Sequence, residues 1–294
     1  MTTTASPTSA PLGSPAPLRS FQLTAPTAQP TRWAVVLHGI LGSGTNLRTF
    51  ARQLALATPE WGFLLPDLRG HGDSPSGAPP HTVAACAEDV LALTVGLGIT
   101  PSVIVGHSFG GKVALALAQL AESRGQPVER VWVLDAPPGR PDVALAVSSE
   151  VAQVVLALRG LPDRYTRREE LVTLLTAQGF SLSLAQWMTT NLRSTGDGLR
   201  WRFDLDVISA LLQDYAVTDA WTYLDDPDRH TRVDVVRAER SERWSPEELA
   251  RFAAAPGDVH LHLLPDAGHW VHVDNPTGLL EMIQREGLGG SGSR

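Results

Sequence analysis

Val103-Ile104-Val105-Gly106-His107-Ser108-Phe109-Gly110-Gly111 reads as a buried β-branched strand, an abrupt turn with a serine at its apex, and the approach to a helix from Lys112 to Glu122. A serine hydroxyl is a poor nucleophile at neutral pH. It becomes useful when held exposed beside a base and next to backbone N–H groups that take up negative charge. Glycines two before and two after the serine let strand and helix approach closely around a strained residue. A bare Gly-x-Ser-x-Gly match is weak, because glycine and serine are common; the strand before it and the helix after it supply the context. The competing reading is a glycine-rich turn with an inert serine.

Outward from this turn, short apolar runs alternate with amphipathic stretches, the pattern of a mostly parallel sheet covered on both faces. Strands are expected at Leu18–Leu23, Trp33–Leu37, Gly62–Leu65, Ser102–Val105, Arg130–Leu134, Val233–Arg237 and His260–Leu264. Helices are expected at Asn46–Ala57, Val83–Leu97, Lys112–Glu122, Pro246–Ala254 and Pro276–Arg285. From Pro137 to Asp226 no convincing buried strand occurs, only helical pieces at Val143–Leu158, Arg168–Gln178, Leu184–Leu192 and Val207–Tyr215. The expected architecture is therefore α/β, a doubly wound sheet with a helical cap inserted after the sixth strand. Its parts are a disordered lead-in (1–17), a core in two pieces (18–136 and 227–287), the cap (137–226) and a flexible tail (288–294).

The 294 residues, 43% hydrophobic, suffice for a sizeable core. A net charge of −7 and scattered Lys and Arg argue against nucleic acid as a partner. Cys86 is the single cysteine, so no intrachain disulfide forms and a thiolate metal site is implausible. No apolar run reaches the roughly 18 residues that a membrane span needs. The first 20 residues have neither a basic start nor an apolar stretch, so no secretory signal is expected and a cytoplasmic location fits.

A serine nucleophile needs a base, and His269, in a loop just after the last strand, is the candidate. Strand ends on one edge of such a sheet are where distant loops converge, so His269 can reach Ser108, accept its proton and return it to a leaving group. Amides after the strand Trp33–Leu37 can pair with the Phe109 amide to hold an oxyanion; Ile40 is favoured, with Leu41 as its alternate. His38 reads as a loop brace, His107 as part of the serine turn, and His71 as a residue ordering its own loop. His260 and His262 read as strand residues without carboxylate partners, not metal ligands. No metal or organic cofactor is expected.

With these pieces in hand the chain resembles the α/β-hydrolase superfamily from about Leu18 to Arg285. The resemblance rests on His38-Gly39, Asp67-Leu68-Arg69-Gly70-His71-Gly72-Asp73-Ser74, Gly106-His107-Ser108-Phe109-Gly110-Gly111 and Gly268-His269-Trp270. It is most similar to the bacterial esterase and acyl-CoA thioesterase group related to the abhydrolase-domain-11 proteins, whose cap has a stretch echoed by Leu199-Arg200-Trp201-Arg202-Phe203-Asp204-Leu205-Asp206. Many superfamily members carry their acid after the seventh strand; Ser241 stands there here. The resemblance to the esterase group implies Asp135 as the acid instead, while Glu239 and Glu242 remain alternatives. It implies a hydrolase of carboxylic esters or thioesters with a hydrophobic part, acting on a small molecule through Ser108, His269 and Asp135. A lactonase, a C–C bond hydrolase or a non-catalytic receptor are the alternatives. Trp187, Trp201 and Trp221 in the insertion are expected to pack on the core and partly roof Ser108. The Arg167-Arg168-Glu169-Glu170 run reads as a solvated helix face.

Overall fold

Runs of Val, Leu and Phe without polar interruption are stable as strands only when both faces are covered. The structure, a computed structural model that describes residues 13–141 and 150–289, arranges them so. The main sheet holds β1 (Ser20–Leu23), β2 (Arg32–Leu37), β3 (Trp61–Pro66), β4 (Pro101–His107) and β5 (Arg130–Leu134). After the insertion, which contains β6 (Arg164–Tyr165), β7 (Leu192–Thr195) and β8 (Gly198–Trp201), it is completed by β9 (Arg232–Ala238) and β10 (Val259–Leu264). The order is β1-β3-β2-β4-β5-β9-β10, with β1 antiparallel and every other pair parallel. The chain steps one way from β2 to β3 and the other way to β4. The crevice outside the ends of β2 and β4 is thus the switch point where such sheets hold ligands.

Alternation along the strands sorts the core into two layers. Ala34, Val36, Val103, Val105, Trp132 and Leu134 face α1 (Arg48–Ala57) and a C-terminal helix, Pro276–Glu286. Val35, Leu37, Ile104, Val131 and Val133 face α2 (Val83–Gly96) and α3 (Phe109–Ser123). Helix α3 begins three residues earlier than expected, directly after Ser108, so both glycines lie inside its first turn. No described helix is long and apolar enough to cross a membrane.

The insertion follows the fifth strand along the described chain, not the sixth, because β1 alone precedes β2. Its described helices are α4 (Glu150–Arg159), α5 (Arg168–Ala177), α6 (Leu182–Thr189), α7 (Leu205–Val217) and the short α8 (Trp221–Leu224). The expected start of its first helix at Val143 lies outside the described residues. It is not purely helical: β6, β8 and β7 form a small antiparallel sheet, and the helix expected to reach Leu192 stops at Thr189. These strands are two to four residues long and carry Arg164, Arg193, Ser194 and Arg200, so no apolar alternation betrays them. The turn residues Gly196-Asp197-Gly198 were the available signal. Val154, Leu171, Ile208, Leu211 and Trp221 bury themselves in the same cluster as the α2–α3 face, so the insertion and the main sheet share one apolar interior.

After the insertion come α9 (Pro246–Phe252), α10 (Val271–Asp274) and α11 (Pro276–Glu286). Both ends of the described chain dock further out than expected. Ala16, placed in the disordered lead-in, is buried and donates its N–H to Asp89 Oδ1 at 2.6 Å. Leu288, placed in the tail, is buried and accepts from Trp132 Nε1 at 3.1 Å. Residues 1–12 and 290–294 are outside the described residues.

Arg69 orders the loop after β3. It is buried with Asp89, whose carboxylate takes Nε at 2.6 Å and a terminal nitrogen at 2.8 Å. Its other donors reach the carbonyls of Ala78, Pro80 and Ala85. A buried pair is tolerable only when its remaining hydrogen-bonding capacity is filled in this way.

Candidate active site

Strand β4 and helix α3 meet so closely at the serine turn that side chains are excluded. A Cβ on Gly106 would stand 2.1 Å from the Gly110 carbonyl oxygen, and one on Gly110 2.6 Å from the carbonyl oxygens of Leu37 and His38. Between them Ser108 takes φ 54°, ψ −120°, a strained conformation for a residue with a side chain. Its N–H is anchored on Leu134 O at 2.9 Å.

The Ser108 Oγ lies 3.0 Å from His269 Nε2, and His269 Nδ1 lies 2.8 Å from Asp135 Oδ2. Residues from the ends of β4, β5 and β10 thus form one hydrogen-bonded chain. With an ionised carboxylate, Nδ1 carries the proton and donates, which leaves Nε2 to accept from the serine hydroxyl. Burial pulls the imidazole below its usual pKa; Asp135 raises it in part, and the charge of Arg243 lowers it.

Asp135 is fully buried, and burial alone would raise its pKa. Hydrogen bonds from His269, Trp244 and Ser241 outweigh this and hold the carboxyl below its usual value. Oδ1 accepts from Trp244 Nε1 at 2.9 Å and Ala238 N at 3.1 Å, and Oδ2 accepts from Ser241 Oγ at 2.7 Å. The residue itself sits at φ 48° with its N–H on Val236 O. Sequence reasoning noted Ser241 only as a missing aspartate and did not foresee its contact with Asp135. The two glutamates are elsewhere: Glu239 Oε2 accepts from Asp266 N, and Glu242 is exposed.

The loop after β2 passes over the serine. A Cβ on Gly39 would lie 3.3 Å from Ser108 Cβ. Two buried histidines hold this loop. His38 Nδ1–H donates to Gly39 O and its Nε2 accepts from Leu68 N; His71 Nδ1–H donates to Arg69 O and its Nε2 accepts from Leu41 N at 3.2 Å. Burial pulls His38 below its usual pKa, and burial reinforced by His38 pushes His71 down to about 3, so both are neutral braces. The Leu41 amide is thereby committed. From the insertion, Asn191 Nδ2 donates to Leu41 O at 2.8 Å and holds the loop.

His107 packs beside the chain. Its Nε2–H donates to the His269 carbonyl at 2.8 Å, and burial together with His269 and His272 depresses its pKa strongly. Trp187 of α6 packs with its ring centre 4.8 Å from that of Trp270 and tilted 55° to it, and the Tyr215 ring of α7 lies 5.9 Å from Phe109. Aromatic rings of the insertion therefore flank the residues next to both His269 and Ser108; Trp221 packs on Phe252 and Trp201 on Phe203, and both tryptophans pack with the apolar cluster of the α2–α3 face. His260 and His262 do have carboxylate partners, contrary to expectation: Asp258 and Asp234, respectively. Among the described residues no group of three or more His, Cys, Asp or Glu could hold a metal ion.

A model of the alpha/beta hydrolase family matches residues 34–282, from β2 into α11. The chain is 28% identical over 259 residues to the sn-1-specific diacylglycerol lipase ABHD11 of Mus musculus, covering 85% of this chain and 78% of that one. It is 28% identical over 257 residues to esterase YbfF of Escherichia coli, covering 85% and 91%. A solved marine microorganism esterase superposes with a TM-score of 0.79 at 22% identity, over 92% of this chain and 99% of that one, a likeness of fold. The serine turn between β4 and α3, on a sheet matched over nearly its whole length, thus places the chain in the alpha/beta hydrolase family.

Proposed function

We propose that this chain is a serine hydrolase that cleaves a carboxylic ester or thioester of a small molecule with a hydrophobic part. The observation that carries the reading is the unbroken hydrogen-bonded path Ser108–His269–Asp135, with the imidazole tautomer set by a buried carboxylate. Relatives named lipase and esterase support the substrate class.

Ser108 Oγ attacks the carbonyl carbon while His269 Nε2 takes its proton. The oxyanion that forms is held by the amides of Phe109 and Ile40. The Phe109 N–H opens helix α3 and has no acceptor within it, and the Leu41 N–H is given to His71, which favours the Ile40 amide over that of Leu41. Each donor of this kind lowers the barrier by about 3 kcal/mol. The imidazolium, stabilised by Asp135, protonates the leaving alcohol or thiol, and an acyl-enzyme remains. Water, deprotonated by His269, attacks the acyl carbon and releases the acid and Ser108. The cap, residues 137–226, acts as the substrate-selecting unit, since its Trp187 and Tyr215 rings flank the site.

The test is a fluorophosphonate probe with mass spectrometry, alongside a panel of 4-nitrophenyl esters and acyl thioesters. An adduct on Ser108 and turnover of at least one panel member are expected. A folded protein that forms no adduct and turns over nothing would instead be a receptor on this fold.

A further inference from the structure

Lys112 stands one turn beyond Ser108 on α3 and is almost fully buried. A buried ammonium is costly unless its three protons find acceptors. Here Nζ donates to Gly139 O at 2.7 Å, Thr218 O at 2.7 Å and Tyr215 O at 3.1 Å. Two of these carbonyls belong to the last turn and C-cap of α7, where a helix leaves its acceptors unpaired and concentrates negative partial charge. The third lies at the entry to the insertion. One side chain on the serine's own helix thus fastens both the way into the insertion and the end of its longest described helix.

The second observation is the position of Tyr215. Its ring lies 4.3 Å from Lys112 Nζ and 5.9 Å from Phe109, the residue after the nucleophile. Burial pushes its phenol up to about 12, so it is a neutral wall and not an acid or base. Around this point α9 contributes Glu248, which accepts from Gly139 N and Trp221 Nε1 and braces the same entry from the other side.

We propose that Lys112 is a positioning residue that fixes α7 against α3, so that Tyr215 forms the wall beside Phe109 that selects the acyl group reaching Ser108. The selectivity half rests on the ester-hydrolase reading; the fastening of α7 does not. Lys112 touches no reacting atom, so its loss should alter which substrates bind before it alters the chemistry.

The experiment combines hydrogen exchange with kinetics on the full chain. In Lys112→Met the amides of α7 should exchange about tenfold faster, with Lys112→Gln, which keeps a side-chain amide NH2 as donor, in between, while α1 and α11 are unchanged. KM for 4-nitrophenyl octanoate should rise about tenfold, with kcat for 4-nitrophenyl acetate within about twofold of wild type. Tyr215→Leu should reproduce the KM change without the faster exchange, because it keeps the backbone acceptors of Lys112. Unchanged α7 exchange in both Lys112 variants overturns the fastening. Equal losses on both esters, or a Tyr215→Leu enzyme with wild-type KM, overturn the wall. Absence of a Ser108 adduct and of all turnover in the wild type would sink the hydrolase reading and the wall with it, while exchange still decides the fastening.

Discussion

Ser241 Oγ and His269 Nδ1 share one acceptor, Asp135 Oδ2, at 2.7 and 2.8 Å. The loop after β9 thus serves the carboxylate on β5 without supplying one. Asp135→Asn should lower kcat by about three to four orders of magnitude, since the imidazole would face a donor and adopt the wrong tautomer. Ser241→Ala should cost less, about tenfold, because Oδ2 keeps the imidazole and Oδ1 keeps Trp244 and Ala238. Glu239→Gln and Glu242→Gln should be near neutral. Steady-state kinetics on the four variants checks the order, and a crippled glutamate variant beside an active Asp135→Asn would reverse the assignment.

Ser108→Ala and His269→Ala should each abolish turnover, and the double variant should be no slower than either single one. Groups that act as a unit do not lose activity additively. Burst kinetics with a 4-nitrophenyl ester gives a second readout, since neither variant should accumulate acyl-enzyme.

The acid limb of kcat/KM should lie below the ordinary histidine value. Activity requires neutral His269, and burial holds its pKa down, with Arg243 adding to the shift and Asp135 opposing it. Arg243→Gln removes a lowering charge and should move the limb to higher pH. A limb that stays put or moves down in that variant would contradict the assignment.

Stability should fall as pH drops through the range where an unfolded histidine protonates. His38, His71, His107 and His272 all have folded pKa values below 6.5, His71 at about 3 and His272 at about 4, with burial the largest cause in each. Between those values and 6.5 the unfolded chain binds more protons than the folded one, so the free energy of unfolding rises with pH. Asp135, also held down, acts in the same direction at lower pH. Urea midpoints at pH 7.5 and 5.5 should therefore differ, with the lower midpoint at pH 5.5.

Asp89→Ala should cost about 3–5 kcal/mol, the penalty for leaving a buried Arg69 unpaired. Chemical denaturation measures it. Arg69→Met in the same background should recover part of the loss, because the orphaned charge is then gone.

The main sheet and the serine turn were legible because β-branched runs, glycine spacing and a following amphipathic helix all act over a few residues. The β6–β8 sheet was not, because short strands of arginine and serine carry no apolar alternation. The acid stayed open between Asp135 and two glutamates for a different reason. Which carboxylate meets His269 depends on the pairing of β5 with β9, which sets Asp135 N on Val236 O and turns Glu239 toward Asp266. That the Leu41 amide is taken by His71, thirty residues further along the chain, was equally hidden. Lys112 looked like an ordinary helix residue until α7 closed over it.

Asp135 follows the last residue of β5, and the cap departs at Pro137, two residues later. Just beyond, Pro138 O accepts from Ala220 N at 2.9 Å and Gly139 O takes the Lys112 ammonium. The stem of the cap and the seat of the carboxylate are therefore one piece of chain. A chimera that exchanges the cap as a cassette, cut at the sheet edge, would carry the acid's backbone support away with it. Crossovers placed after Gly139 and before Tyr215 would retain Gly139 O on one side of the graft and Tyr215 O and Thr218 O on the other for the same lysine, and with them the geometry at the base of the foreign insertion.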